Sequence, residues 1–407
     1  MDTTGARNGP QVDPQVDPQI DPQIDVAVLG ATGAVGRAAV EALRGSGLHL
    51  RLGARTVPPL QQLAAAVPGA HAQVTDVDDP ASLTRFCEGA RVVLTCAGPS
   101  YRIGAAVAVA AAAAGADSVD VTGDDPVVDE LRRRGLPGPG RTAVVAAGLL
   151  PGLGALLPLL ATDGLTRVHR VGGTSGGLER ATPAAAADVV LSIDVRDGSG
   201  AALGEPLAAV RGGVRRARVL RAATGVRSPF HPRPVAVHPF LTTEVERLAR
   251  SLGAEDADWR IVYPGPRVHG VLSQARFAGP DALGERLRAA AEADLAGREP
   301  YYLLVVDVEG EVEGEVEGEV EGIDAAGGPV RRTVVLRTPD SYRVTGTVGA
   351  LTARAVLAGG VPPGVHRACD VLDPGATRDA VVAAVPGTTI RVLTSAPELS
   401  GVEEGVL

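Results

Sequence analysis

The stretch from Ile24 to Gly36, IDVAVL followed by GATGAVG, constrains the fold more than any other part of the 407 residues. The first six residues read as a buried strand, and the apolar spacing of RAAVEALRGSG just beyond reads as a helix that stops at Gly45 and Gly47. A strand passing through so short a turn into a helix leaves the first helical N–H groups unpaired at the positive end of the helix dipole. At such a turn Gly30 permits the sharp bend, Gly33 lets a pyrophosphate approach the backbone, and Gly36 lets the helix pack on the strand. Gly30, Ala31, Thr32, Gly33, Ala34, Val35 and Gly36 are therefore predicted to cradle a dinucleotide.

The surrounding pattern agrees. Strand-like LHLRLGAR, AQVTDV, RVVLTCAG, SVDVTG and RTAVVAAG alternate with helix-like PLQQLAAAV, PASLTRFCEG and GAAVAVAAAAAG, which predicts an α/β, doubly wound parallel sheet over residues 24–148. From residue 149 to 340 the texture turns β-rich (RVHRVGGTSGG, WRIVYPG, YYLLVVDV, RRTVVLRT), predicting a second α+β domain with a mainly antiparallel sheet. SYRVTGTVGALTARAVLAGG reads as a helix with small residues on one face, and residues 341–407 are expected to return and pack on the first domain.

Charge narrows the function once it is located. The formal net charge is −9, but four aspartates sit in PQVDPQVDPQIDPQID at residues 10–25 and seven glutamates sit between Glu309 and Glu321. Without those eleven the rest of the chain is +2, so the acidity does not describe a partner surface. Proline at every fourth position predicts an extended tail over residues 1–23, and the acidic repeat at 308–322 an elongated hairpin arm. All 39 basic residues are arginine, which excludes lysine Schiff-base, lysine general-base and P-loop chemistry. Aromatic residues make up 2%, against a base-stacking platform, and no nucleic-acid partner is expected. Cys87, Cys96 and Cys369 are too widely spaced for a disulfide scaffold or a cysteine zinc site. No apolar run reaches the roughly 20 residues of a membrane span and no signal-like start is present, so the expectation is a cytoplasmic protein acting on a small molecule.

Cofactor type is read at the end of the second strand. Where an acidic residue would hold the ribose hydroxyls of NAD, this chain has Arg55, a fixed positive charge suited to a 2′-phosphate, so NADP(H) is expected. Asp76 and Val77 are expected beside the adenine, and Cys96, Ala97, Gly98 and Pro99, after Thr95, at the nicotinamide side of the crevice. Reduction of a C=C or C=N bond needs a proton donor there. Tyr101 and Asp124 are the catalytic candidates; Tyr101 is alternatively a pocket wall, and Asp124 a helix cap. Asp120 flanks the same loop, and Ser100 is a hydrogen-bond donor to the cofactor. His231 and His238, in FHPRPVAVHPF, read as loop histidines, and no metal-ligand spacing is present.

GATGAVG, GAR, TCAGPSYRIGAAVAVAAAAAGADSVDVTGD and AGLLPG together resemble the saccharopine dehydrogenase-like oxidoreductases, with GGTSGG, DSYRVTGTVGA and GVHRACDVL resembling that family's second domain and returning helix. The resemblance spans roughly residues 24–385. It implies a Rossmann domain binding NAD(P)H, an α+β domain that closes the substrate cleft and supports a homodimer, and relatives such as trans-acting enoyl reductases in lipid and secondary metabolism. Saccharopine dehydrogenases themselves use an acid/base apparatus that includes lysine, which this chain lacks. The readings left open are an NADP(H)-dependent reductase, an opine- or saccharopine-type amino acid dehydrogenase, and a non-catalytic Rossmann sensor or scaffold.

Overall fold

The computed structural model describes residues 23–193, 204–228, 230–274, 280–312 and 329–394, so nearly all of the N-terminal repeat and all but the start of the acidic repeat lie outside the described residues. Strands and helices alternate first as β1 (Ile24–Leu29), α1 (Ala34–Leu43), β2 (Leu50–Ala54), α2 (Val57–Ala66), β3 (Ala70–Val74) and α3 (Pro80–Cys87). There follow β4 (Ala90–Thr95), α4 (Ser100–Ile103), α5 (Ala106–Ala113), β5 (Asp117–Asp120), α6 (Asp125–Arg133) and β6 (Thr142–Val145). The middle region begins with α7 (Leu153–Leu156), β7 (Arg167–Leu178), α8 (Pro183–Ile193) and the short strands β8 (Gly204–Pro206), β9 (Ala209–Arg211), β10 (Val214–Arg216) and β11 (Ala223–Val226). It continues through β12 (Val235–Thr242), α9 (Thr243–Ser251), β13 (Asp256–Tyr263), α10 (Pro266–Ser273), α11 (Pro280–Leu295), β14 (Tyr301–Glu311) and β15 (Pro329–Thr338). The chain closes with α12 (Ser341–Leu357), β16 (Gly364–Arg367), α13 (Ala368–Val371), α14 (Pro374–Ala384) and β17 (Thr389–Thr394).

The first sheet has seven strands in the order β16-β6-β5-β4-β1-β2-β3, all parallel. Helices cover both faces, so both sets of side chains on β1 are apolar. Val26 and Val28 join α1, α2 and α12 in one core, whereas Ala27 and Leu29 pack with α3 and α5 in the other. The strand order reverses between β1 and β4, which opens a crevice at their carboxyl ends. The expected doubly wound sheet is the one observed.

The second sheet has ten strands and is mixed. β7 and β13 run parallel, and the other pairs among the described residues are antiparallel. β12 lies on the opposite edge of β13 from β7, runs antiparallel to β13 and is joined to it through α9. Its core reaches from Trp259, Leu304 and Val306 on the sheet to Leu153–Leu157 and to Val344 and Val348 of α12, tying the two sheets together.

The last segment divides between the sheets. α12 lies on α1, β4 and β5 through its small face: a Cβ at Gly346 would strike the α1 backbone at Val35, and one at Gly349 would lie 2.5 Å from the Val121 side chain. β16 extends the first sheet beside β6, while β17 pairs with β15 at the edge of the second.

Candidate functional site

The glycine loop has the geometry its spacing implies. Gly30 sits at φ +81°, and a Cβ there would lie 2.7 Å from the Ala97 backbone nitrogen. A Cβ on Gly36 would run into the Gly30 carbonyl, so this glycine sets how closely α1 approaches β1. Gly33 differs: its nearest contact is Gly30 O at 3.3 Å, and both Gly33 and Ala34 face solvent. Gly33 is the N-cap of α1 with no side-chain cap and no acidic residue in the first turn, leaving the leading N–H groups available to an anion. Arg37 Nε donates to Thr32 O at 2.9 Å and braces the loop, a role that sequence spacing did not single out. Ala31 is buried and, with Gly30, donates its backbone N–H to Gly53 O. Val35, half-buried, packs into the core shared with α12.

Arg55 follows the last residue of β2, exposed and without a carboxylate partner among the described residues. Asp76 is also exposed and caps its own turn by accepting the Asp78 N–H at 3.1 Å, while Val77 packs against the α3 and α5 core. These placements suit a bound adenosine half: the loop, Arg55, Asp76 and Val77 share the carboxyl edge of β1, β2 and β3.

On the other side of β1, Cys96 N–H donates to Leu29 O at 2.8 Å and burial pushes its thiol far up, so it packs as a neutral group. Ala97 closes over Gly30, and Gly98 lies against Ala184 of α8. Pro99 then starts the short α4, where the Ser100 N–H and hydroxyl both donate to Asp188 Oδ1, at 3.0 and 2.9 Å. A carboxylate from the second domain is thereby held at the mouth of the crevice.

Asp120 ends β5 in the same place. Its Oδ1 accepts the Thr122 N–H at 2.8 Å and hydroxyl at 2.9 Å, and its Oδ2 has no hydrogen-bond partner among the described residues. Burial, aided by the Asp188 carboxylate, pushes its pKa up to about 6 against those two hydrogen bonds. Asp188 is raised as well, mainly by burial.

The two named catalytic candidates lie in different settings. Tyr101 is 46% exposed, on the outer side of α4. Asp124 is N-cap of α6 by position, yet its side chain makes no capping hydrogen bond, which removes the capping role considered for it. Burial and then the Asp125 and Asp120 charges push its pKa up to about 7, with Arg247 and Arg367 opposing.

The second sheet contributes a hydroxyl-rich face. Tyr302 packs against the domain-spanning core with the Ser175 side chain as its hydrogen-bond partner, and burial raises its phenol. Ser175 also receives the Trp259 indole N–H at 3.0 Å. Glu179, just past β7, accepts the Ser341 N–H at 3.2 Å and hydroxyl at 2.6 Å, and burial lifts it to about 7. Tyr342 OH donates to Arg180 O at 3.0 Å and accepts from Thr182 N–H at 3.1 Å.

Of the two loop histidines, His231 lies in the β11–β12 connection as expected but is buried, whereas His238 is part of a strand. His238 lies within β12, its ring 5.5 Å from Tyr263 and 5.2 Å from His269, and burial, with His269 nearby, lowers its pKa. His231 is buried against Tyr301, with burial bringing it down to about 4.

Residues 30–122 match the family model described as NAD(P)H-binding. No curated protein matches the chain in sequence. Among solved structures, the chain is similar to a putative myo-inositol dehydrogenase from Sinorhizobium meliloti 1021, at 12% identity over 89% of this chain and 95% of that one, TM-score 0.41. It is similar to GenD2 from gentamicin A biosynthesis in complex with NAD, at 14% identity over 96% and 100%, TM-score 0.39. A short-chain dehydrogenase/reductase from Veillonella parvula DSM 2008 aligns at 17% identity over 25% of this chain, TM-score 0.22, and the chain spans 47% of its length. The parallel sheet, the glycine loop and the family match agree on an NAD(P)-binding domain in the first part of the chain. Among the described residues no helix is long and apolar enough to cross a membrane.

Proposed function

We propose that this protein is an NADPH-dependent reductase of the saccharopine dehydrogenase-like group that saturates a C=C or C=N bond of a small metabolite or carrier-bound intermediate. The observation that carries this reading is Asp120, a carboxyl raised to about 6 with one oxygen unpartnered among the described residues, at the strand end that adjoins the glycine-loop crevice and facing Asp188 from the second domain. Bound NADPH supplies the hydride. Asp120 Oδ2 delivers the proton to the atom left electron-rich, and the resulting carboxylate is steadied by the Thr122 N–H and hydroxyl. Asp124, unbonded and raised to about 7, returns the proton to Asp120, while Tyr101 lines the mouth of the cleft.

The preference for NADPH rests on Arg55, a guanidinium free to meet a 2′-phosphate. Calorimetric titration of the purified chain with NADPH and with NADH tests it. NADPH is expected to bind about tenfold or more tightly than NADH, with the difference lost in Arg55→Ala. Equal affinities overturn the cofactor preference, and binding of neither overturns the reductase reading.

A further inference from the structure

A cavity of about 420 Å³ opens between the domains, walled by α6, α9, β10 and the β16–α13 junction. Five arginines line it: Arg132, Arg215, Arg247, Arg250 and Arg367. Three carboxylates answer them, from Asp125, Asp129 and Glu246, which leaves the lining at +2. We propose that this cavity binds a phosphate group, as a phosphate monoester or as free phosphate.

The hydrogen-bond arithmetic points the same way. A guanidinium carries five N–H donors, so the lining has far more donors than three carboxylates satisfy. Asp125 Oδ1 is shared between Arg247 Nη1, at 2.7 Å, and Arg367 Nη2, and Glu246 is shared between Arg215 and Arg250. Arg367 Nε is buried with no partner, and Arg132 has no carboxylate partner among the described residues. A tetrahedral dianion presents several oxygens in different directions to forks arriving from four separate elements, which a single planar carboxylate does not. The volume falls within the range of small-molecule sites, so there is room for the organic part of an ester. The site shares no residue with the glycine loop, and its occupancy is independent of the reductase reading.

The test is calorimetric titration of the full chain with inorganic phosphate and with glycerol 3-phosphate at constant ionic strength, for wild type and for Arg132→Gln/Arg250→Gln. Both changed side chains are exposed, so the variant is expected to keep its melting temperature and its NADPH affinity. Saturable binding of phosphate with Kd near ~1 mM or below, weakened about tenfold in the double variant, supports the site. Tighter binding of glycerol 3-phosphate identifies an ester as the occupant, and equal binding identifies free phosphate. No saturable binding, or equal affinity in both proteins, overturns the proposal. Phosphate held only at the α1 N-terminus gives the second of these outcomes and is thereby distinguished.

Discussion

Asp188 of α8 takes two hydrogen bonds from a single residue of the other domain, the Ser100 backbone N–H at 3.0 Å and the Ser100 hydroxyl at 2.9 Å. This contact brings a second carboxylate close enough to Asp120 to help raise it. Replacing Asp188 with Asn keeps an acceptor for Ser100 but removes the charge. The alkaline limb of the pH–rate profile assigned to Asp120, on which the rate falls as pH rises, is expected to move to lower pH in Asp188→Asn. A profile identical to wild type would show that the two carboxyls do not interact.

Asp120→Asn removes the transferable proton while keeping the Thr122 hydrogen bonds. As an acid, Asp120 works in its protonated form, so reduction by wild type is expected to slow as pH rises through about 6. The variant should lose that limb and about 10²-fold or more in kcat, with NADPH affinity changed by less than about twofold. Tyr101→Phe is the companion measurement, because a comparable loss there would transfer the proton-donor role to the exposed tyrosine.

Gly33 and Gly36 separate cofactor contact from folding. Gly36→Ala drives a Cβ into the Gly30 carbonyl and is expected to lower stability by about 1–3 kcal/mol, seen as a reduced melting temperature. Gly33→Ala meets only Gly30 O at 3.3 Å and should leave the melting temperature nearly unchanged. Its methyl group stands where a pyrophosphate approaches, so NADPH affinity should fall about tenfold or more. Equal melting losses in the two variants would refute the distinction.

How much of this was readable from the sequence depends on the range of the interactions. The turn from β1 to α1 is set by residues within one short segment, so its glycines and their roles were legible. The small face of α12 was legible too, because Gly346 and Gly349 recur at helical spacing. β12 was not, since Pro239 argues against a strand; its carbonyl still accepts the Leu207 N–H at 3.0 Å, and the strand pairs on both sides. The Asp120–Asp188 approach left no local signal either. It depends on α8 docking over α4, a tertiary contact between segments far apart in the chain. Asp124 matched the pattern of a helix cap, but its side chain is drawn instead into the field of Asp120, Asp125, Arg247 and Arg367.

Glu244 yields a stability prediction with a definite sign. It sits in the first turn of α9, 5% exposed, and its Oε1 accepts the Gly152 N–H at 2.6 Å from the segment that leads into the second domain. Burial pushes its pKa from 4.5 up to about 7, with Arg247 and Arg367 only partly offsetting. The folded chain therefore binds this proton more tightly than the unfolded chain. Its contribution is fully favourable below pH 4.5 and is lost as pH rises to about 7, a change on the order of 3 kcal/mol for the isolated group. Glu244→Gln retains a carbonyl for Gly152 and has no charge to bury. Urea unfolding at pH 5 and pH 8 should show wild type losing more stability across that interval than the variant does, at equal m-values. Parallel losses in the two proteins would mean that Glu244 is ionised at no cost, and that its surroundings are solvated.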